Sequence, residues 1–231
     1  MQGTRIRAIV LDFDGVVVDS EPIFFECMRE TLRGVGIEIT PDEYFSRYVA
    51  LHDQDAMTCI LASRGIDLPE AEVVRLLEDK RRRYRERMSR GPIPWVAGFA
   101  PWVRTAQARG IRLAIASSSS QEAIGTVLPH CPVSVSWVAI VTPAPGLRGK
   151  PAPDLYLEAL ARLRGPTPDL RPEQVLAIED TPDGIRAAHQ AGLRVAALTT
   201  TLPASALQAA DWVIGPDWTA FPWDLCGFWE A

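Results

Sequence analysis

Six short apolar runs recur along the chain, and each of them ends at polar residues or glycine. They lie at residues 7–13, 111–116, 135–141, 175–178, 193–198 and 212–214. Continuous apolar runs of this length are typical of strands that are buried on both faces of a parallel sheet. The pattern therefore predicts a buried sheet of mainly parallel strands.

Segments with helical patterns separate most of these strands. They lie at residues 95–109, 153–164 and 181–191, and Gly110 and Gly192 stand where two of them should end. The alternation predicts a three-layer α/β fold with a mainly parallel sheet. Ligands of such sheets bind beyond the carboxyl ends of the strands, so the residues that follow each strand are the candidates for chemistry.

Residues 21–90 interrupt this alternation. They contain helical patterns and no convincing buried strand, and Gly91 with Pro92 and Pro94 would form the return linker. We therefore expect a core made of residues 1–20 and 91–231, with a helical cap at residues 21–90. The aromatic tail at residues 218–229 is expected to seal the core.

Composition and charge narrow the possible partners. The chain has 231 residues, 47% of them hydrophobic, with a net charge of −5 and a pI near 5.3. That charge opposes general binding to nucleic acid or to an anionic membrane surface. No apolar run approaches the roughly 18 residues of a membrane span. The four cysteines are scattered, which favours reduced side chains in a cytoplasmic protein.

Lysine is rare in this chain. Of 24 basic residues only Lys80 and Lys150 are lysines, and the others are arginines. A compact ammonium differs from a planar guanidinium, so these two positions are candidates for places where only a point charge fits. With two residues, chance is the alternative explanation.

Acidic pairs follow two of the predicted strands. Asp12 and Asp14 leave the first strand beside Gly15, and Glu179 and Asp180 end the fourth strand. Parallel strands would bring both pairs to the same edge of the sheet. Oxygen-rich clusters suit a hard cation such as Mg²⁺, which also relieves the repulsion between carboxylates. Solvated carboxylates at a strand end, or a structural Ca²⁺ site, are the alternatives.

Phosphate-binding candidates follow the second and third strands. Ser117 and Ser118 supply hydroxyl and backbone donors where a helix begins, and Lys150 supplies a positive charge. These groups match the needs of phosphoryl transfer, which are charge neutralisation and a fixed cradle for the oxygens. Taken singly, the serine run would be a loop and Lys150 a surface lysine.

Read in order, these motifs resemble those of the haloacid dehalogenase superfamily, and most closely its β-phosphoglucomutase-like phosphatase branch. The motifs are Asp-Phe-Asp-Gly at 12–15, Ser117, Lys-Pro at 150–151 and Ile-Glu-Asp-Thr at 178–181. The resemblance spans nearly the whole chain. It implies a Rossmann-like core with a small helical cap inserted after the first strand.

The resemblance also implies a role for each motif. Asp12 would be the nucleophile that forms an aspartyl-phosphate, and Asp14 the general acid and base. Mg²⁺ would be held by Asp12, the backbone carbonyl of Asp14, Asp180 and, directly or through a second shell, Glu179. Ser117 and Ser118 would bind the transferring phosphoryl group, with Lys150 balancing charge between that group and Asp12.

The cap departs from the pattern of the sugar-phosphate mutases in this branch. Phe24 stands where those mutases have a histidine, and His52 with Asp53 falls near the place of their arginine. Lys80 aligns by a Lys-x-x-x-Tyr pattern with a lysine that faces substrate in the mutases. It is therefore a candidate for substrate binding, although the arginine-rich run around it is typical of a solvated helix face.

Taken together, the residues predict a Mg²⁺-dependent phosphatase of a small phosphorylated metabolite, acting as a monomer or weak homodimer. A β-phosphoglucomutase-like mutase is the alternative reaction. An alternative of another class is a catalytically idle binding or regulatory protein, which would be expected to lack Asp12, Asp14 or Lys150, whereas all three are present. A phosphotransferase acting on proteins would be expected to have an open site, whereas the expected cap favours a small ligand.

Overall fold

The computed structural model describes residues 5–49 and 51–227, and its centre is a six-stranded parallel sheet. The strands are β1 (Ala8–Leu11), β2 (Arg112–Ala116), β3 (Trp137–Val141), β4 (Val175–Glu179), β5 (Arg194–Leu198) and β6 (Trp212–Gly215). Their order across the sheet is β3-β2-β1-β4-β5-β6, and each neighbouring pair is parallel. The predicted parallel α/β fold is confirmed.

Eight α-helices accompany the sheet within the described residues. They are α1 (Glu21–Arg33), α2 (Pro41–Arg47), α3 (Asp53–Ser63), α4 (Glu70–Arg90), α5 (Phe99–Ala108), α6 (Gln121–Val127), α7 (Asp154–Arg164) and α8 (Pro182–Gln190). Gly110 and Gly192 follow α5 and α8 with left-handed φ angles of +73° and +79°, as expected for residues that end helices. None of the described helices is long and apolar enough to cross a membrane.

One predicted helix begins later than the sequence pattern indicates. The pattern predicts a helix from residue 95, but α5 begins at Phe99. Gly98 adopts a left-handed φ of +77° just before it, and Trp95 instead forms an isolated bridge with Val18. The aromatic residues at 95 and 99 are four positions apart, as residues on one face of a helix are. The pattern alone therefore does not show whether the helix begins at residue 95 or at residue 99.

The sheet is buried on both faces. Successive side chains of a strand point to opposite faces, so Ala8 and Val10 share one face of β1 while Ile9 and Leu11 share the other. All four side chains have no exposed surface. Ala8 and Val10 belong to an apolar cluster that also contains residues of α7 and α8. Burial on both faces explains why these strands read as continuous apolar runs.

The chain forms two compact units. The core unit is Met1–Asp19 with Pro94–Ala231, and the helical unit is Ser20–Ile93. The helical unit has an apolar cluster of its own, to which α1 contributes Phe25 and Met28, and α4 contributes Leu76 and Leu77. A helical insertion after the first strand agrees with the predicted fold class.

The aromatic residues after β6 pack within the core unit. Trp218 lies with its ring centroid 4.1 Å from that of Trp102 on α5, and Phe221 lies 5.6 Å from the same ring. The Trp218 indole N–H donates to the Val16 carbonyl at 2.8 Å. The last part of the predicted aromatic tail, residues 228–229, lies outside the described residues.

Candidate active site

Two acidic strand ends meet at one edge of the sheet. In the pairing of β1 with β4, Leu11 lies opposite Ile178, and the Asp12 backbone N–H donates to the Ile178 carbonyl at 2.9 Å. Asp12 therefore lies beside Glu179 and Asp180. Carboxylate oxygens of these three residues lie within 4.8 Å of one another, and all three side chains are buried. The parallel register is what brings two acidic motifs 167 residues apart in sequence into one cluster.

A buried lysine joins two of these carboxylates. Lys150 Nζ lies 2.6 Å from Asp12 Oδ1 and 2.5 Å from Glu179 Oε1. The Tyr156 hydroxyl donates to the same Glu179 oxygen at 2.5 Å. One continuous series of polar contacts thus joins Asp12, Lys150, Glu179 and Tyr156, and we call it the buried polar chain. The contact between Lys150 and Asp12 agrees with a lysine that balances charge at a nucleophile.

Glu179 is held on both of its carboxylate oxygens. Oε1 accepts hydrogen bonds from Lys150 and Tyr156, and Oε2 accepts them from the Asp180 backbone N–H at 3.2 Å and the Thr181 hydroxyl at 3.3 Å. A carboxylate offers about four lone-pair sites, so these donors use its ordinary capacity. Gly184 at the start of α8 leaves the room it needs, since a Cβ there would lie about 2.0 Å from the carboxyl group.

The cluster contains more acidic side chains than basic ones. Burial raises the pKa of Asp12, Lys150 opposes the rise, and the Glu179 and Asp14 carboxylates add to it, which together bring that pKa to about 7. Burial also raises the pKa of Asp180 well above its ordinary value, with Asp12 and Glu179 adding to the shift. Burial lowers the pKa of Lys150, but Asp12 and Glu179 outweigh it and raise that pKa overall. Lys150 is therefore a cation among several acids that it cannot neutralise alone.

One carboxylate oxygen in the cluster is buried without a partner. Asp180 Oδ2 accepts a hydrogen bond from the Thr201 hydroxyl at 2.5 Å, whereas Asp180 Oδ1 has none. Leaving a buried carboxylate oxygen unpaired is costly unless something else binds it. The excess of acid and the unpaired oxygen both fit a hard divalent cation, for which carboxylate oxygens are preferred ligands. The residues present therefore fit Mg²⁺.

The loop after β2 contacts the second aspartate of the first motif. Ser117 is buried, and its Oγ accepts a hydrogen bond from the Ser119 backbone N–H at 3.0 Å. The Ser119 hydroxyl donates to Asp14 Oδ2 at 2.5 Å. Ser118 is exposed, and Ser120 caps α6 by accepting from the Ala123 N–H. Four identical residues in a row gave no signal that Ser119, and not a neighbour, contacts Asp14.

Threonines after β5 belong to the site, although the four sequence motifs do not include them. The Thr200 hydroxyl donates to the Gly15 carbonyl, and the Thr201 hydroxyl donates to Asp180. Gly15 has a left-handed φ of +72°, and a Cβ there would lie 1.8 Å from Asp180 Oδ2. The threonines at 199–201 directly follow β5, as the other site residues follow their strands, so a signal for their position is present in the sequence.

Lys80, the remaining candidate, lies in the helical unit. It occupies the buried face of α4, where its neighbours on that face are Leu76, Leu77 and Tyr84. Lys80 Nζ lies 2.5 Å from Asp53 Oδ1 and 4.0 Å from the centroid of the Phe24 ring. Its side chain is 1% exposed. The Lys80 ammonium group thus has an acidic partner and an aromatic partner within the helical unit itself.

Residues 9–198 match the family model of the haloacid dehalogenase-like hydrolases. A curated relative, protein CbbY of Rhodobacter capsulatus, is 28% identical over 96% of this chain and 93% of its own length. The phosphorylated carbohydrates phosphatase of Thermotoga maritima is also 28% identical, over 81% of this chain and 82% of its own length.

A solved structure has a similar fold. It is a mutant of CbbY from Rhodobacter sphaeroides in complex with xylulose-(1,5)bisphosphate, with a TM-score of 0.74 and 25% identity. The match covers 90% of this chain and 93% of that one. Together these findings confirm the resemblance predicted from the four motifs and the prediction of a phosphatase-type enzyme.

Proposed function

Since this chain belongs to the haloacid dehalogenase-like hydrolase family, we propose that it is a Mg²⁺-dependent phosphatase of a small phosphorylated carbohydrate. The observation that carries the proposal is the contact of Lys150 with Asp12 inside a buried acidic cluster. The cluster supplies a carboxylate nucleophile and a cation beside it. The two phosphate-related relatives, one a carbohydrate phosphatase and one bound to a sugar bisphosphate, support the substrate class.

The proposed reaction proceeds in two steps through Asp12. A carboxylate oxygen of Asp12 forms a bond to the substrate phosphorus while the bond from phosphorus to the sugar oxygen breaks. Asp14 gives its proton to the departing oxygen and becomes a carboxylate. It then takes a proton from a water molecule that attacks the phosphorus, which releases phosphate and restores both aspartates. The hydrogen bond from Ser119 to Asp14 supports this role by orienting that carboxyl group.

The other motif residues bind and neutralise charge. Ser117 and Ser118 would cradle the transferring phosphoryl group, and Lys150 would balance the charge between that group and Asp12. Mg²⁺ would be held by Asp12, the Asp14 carbonyl and Asp180, with Glu179 as a direct or outer ligand. When bound, Mg²⁺ neutralises phosphoryl oxygens and carboxylates. The four hydrogen bonds that Glu179 already accepts favour the outer position for it.

A phosphatase is favoured over a mutase by the helical unit, which we propose acts as the cap at residues 21–90. A mutase must bind both ends of a bisphosphate intermediate, whereas a phosphatase need only admit water. Phe24 replaces the mutase histidine and lies against Lys80, whose charge is already paired with Asp53. A paired Lys80 suits contact with a substrate hydroxyl better than binding of a second phosphate.

Phosphate release from a panel of sugar phosphates, phosphoglycolate and nucleotides, with and without Mg²⁺, tests the proposal. We expect Mg²⁺-dependent release, and a loss on the order of a thousandfold or more in Asp12→Asn because the nucleophile is gone. Release that persists in this variant would exclude the covalent mechanism. Formation of an isomerised sugar phosphate in the presence of a bisphosphate activator, without phosphate release, would identify a mutase. No reaction of either kind would favour an idle binding protein.

The remaining expectations concern the state of the protein. Cys27, Cys59, Cys131 and Cys226 are all free thiols, which supports action in the reducing cytoplasm. We propose a monomer or weak homodimer, which size-exclusion chromatography with light scattering at several protein concentrations would test.

A further inference from the structure

Tyr156 is a buried polar residue that the reaction described above does not use. It lies in the first turn of α7, has no exposed surface, and donates its hydroxyl to Glu179 Oε1. The centroid of its ring lies 5.1 Å from Lys150 Nζ. Tyr156 thus touches two members of the buried polar chain, one through its hydroxyl and the other through its ring.

The Tyr156 hydroxyl limits the positions in which Glu179 can hold Lys150. Lys150 is attracted to two carboxylates, and its distance from Asp12 depends on where Glu179 lies. The Tyr156 hydroxyl donates to the same Glu179 oxygen that accepts from Lys150, so it restricts the orientation of that oxygen. Hydrogen bonds to a charged acceptor are stronger than those between neutral groups, and a buried carboxylate has no water to replace a lost donor.

The phenol is suited to this task because its O–H donates to the Glu179 carboxylate. A second carboxylate at this place would repel Glu179 instead of holding it.

We propose that Tyr156 is a positioning residue that, through Glu179, holds Lys150 in place beside Asp12. This inference rests on the proposed function for its kinetic consequences. Tyr156 itself touches neither the nucleophile nor the phosphoryl group in this scheme, and it acts by limiting the movement of Lys150.

The variant Tyr156→Phe isolates the hydroxyl, because it keeps the ring and its contact with Lys150. Tyr44→Phe is the matched control. Tyr44 is likewise buried, and its hydroxyl donates to a carboxylate oxygen of Glu21 at 2.7 Å, but it lies in the helical unit and outside the buried polar chain. Each variant removes one hydroxyl that is bonded to a carboxylate, so the two should lower the unfolding temperature by similar amounts.

We expect kcat of Tyr156→Phe to fall by roughly tenfold, the size of effect that a hydrogen bond to a charged group can have, with KM changed less than about twofold. The Kd for inorganic phosphate in the presence of Mg²⁺, measured by calorimetry, should rise several-fold. Tyr44→Phe should keep kcat and this Kd. A merely structural role would lower stability in both variants and leave kcat and the phosphate Kd unchanged.

The phosphate measurement separates failure of this inference from failure of the proposed function. If the wild-type protein releases phosphate from no compound, the proposed function is wrong, and the phosphate Kd alone decides about Tyr156. A folded Tyr156→Phe protein that binds phosphate as the wild type does, and that keeps its kcat wherever turnover is measurable, would overturn the inference.

Discussion

The two lysines of this chain lie in similar surroundings, one in each unit. Lys150 contacts Asp12 at 2.6 Å and lies 5.1 Å from the centroid of an aromatic ring, and Lys80 contacts Asp53 at 2.5 Å and lies 4.0 Å from one. Both side chains are almost inaccessible, at 6% and 1% exposed. A buried ammonium requires such partners, because an unpaired charge inside a protein is strongly destabilising.

The difference between them lies in the balance of charge. Lys80 contacts the Asp53 carboxylate, whose side chain is 36% exposed, so solvent shares in stabilising that pair. Lys150 contacts two carboxylates, Asp12 and Glu179, that are 12% and 0% exposed, and Asp180 lies in the same cluster. An ion pair between a buried lysine and a carboxylate is therefore no sign of a catalytic site by itself. The excess of buried acid around Lys150 is what indicates a site for a cation and a phosphoryl group.

The largest expected effect separates the two lysines directly. Lys150→Met should lower kcat by about a hundredfold or more, because the cation beside Asp12 and the phosphoryl group is lost. Lys80→Met is the matched variant and should change kcat by less than about threefold. Steady-state kinetics on the preferred substrate make the comparison. Equal losses of kcat in the two variants would mean that the two lysines do not differ in the way the charge balance indicates.

Metal binding should depend on the acid-rich cluster alone. At a concentration about a hundredfold above its Kd, Mg²⁺ should raise the unfolding temperature of the wild type by about 5–10 °C, since it binds only the folded state. Asp180→Asn should abolish this shift, because the unpaired Asp180 oxygen lies in the cluster. Differential scanning fluorimetry with and without a chelator measures it. A full shift in Asp180→Asn, or its loss in Lys80→Met, would contradict the assignment.

A smaller effect is expected at the serine run of the core unit. Ser119→Ala should lower kcat by about tenfold, because Asp14 loses the hydroxyl that orients it. Ser120→Ala is the control, since Ser120 caps α6 and should cost about 1 kcal/mol of stability without lowering kcat. Kinetics and thermal unfolding of both variants test the pair. A reversal, with kcat lowered only by Ser120→Ala, would exclude the role of Ser119.

The smallest effect is expected on KM and belongs to the helical unit. Lys80→Met should raise KM by about three- to tenfold while leaving kcat nearly unchanged, if Lys80 contributes to substrate binding. Arg81→Met, at the exposed neighbouring position on α4, should change neither parameter. If KM stays at the wild-type value in Lys80→Met while stability falls, Lys80 serves only to pair with Asp53 inside the helical unit.

Sequence by itself determined the strands, the ends of the helices before Gly110 and Gly192, and the acidic motifs. The strands are continuous apolar runs because both faces of the sheet are buried, and helices end at Gly110 and Gly192 because glycine accepts a positive φ at little cost. Parallel pairing then requires the motifs that follow β1 and β4 to lie at one edge. These features depend on local pattern and on one rule of sheet topology, so no side-chain packing had to be known.

Only the tertiary structure decided which polar side chains meet around those motifs. Ser119 and not Ser118 contacts Asp14, Tyr156 contacts Glu179, and Lys80 is paired with Asp53 27 positions away along the chain. Each contact depends on the direction of a side chain and on the packing of one element against another. Neither is encoded in residue type or in spacing along one element, which is why the acids that surround each lysine are known only from the structure.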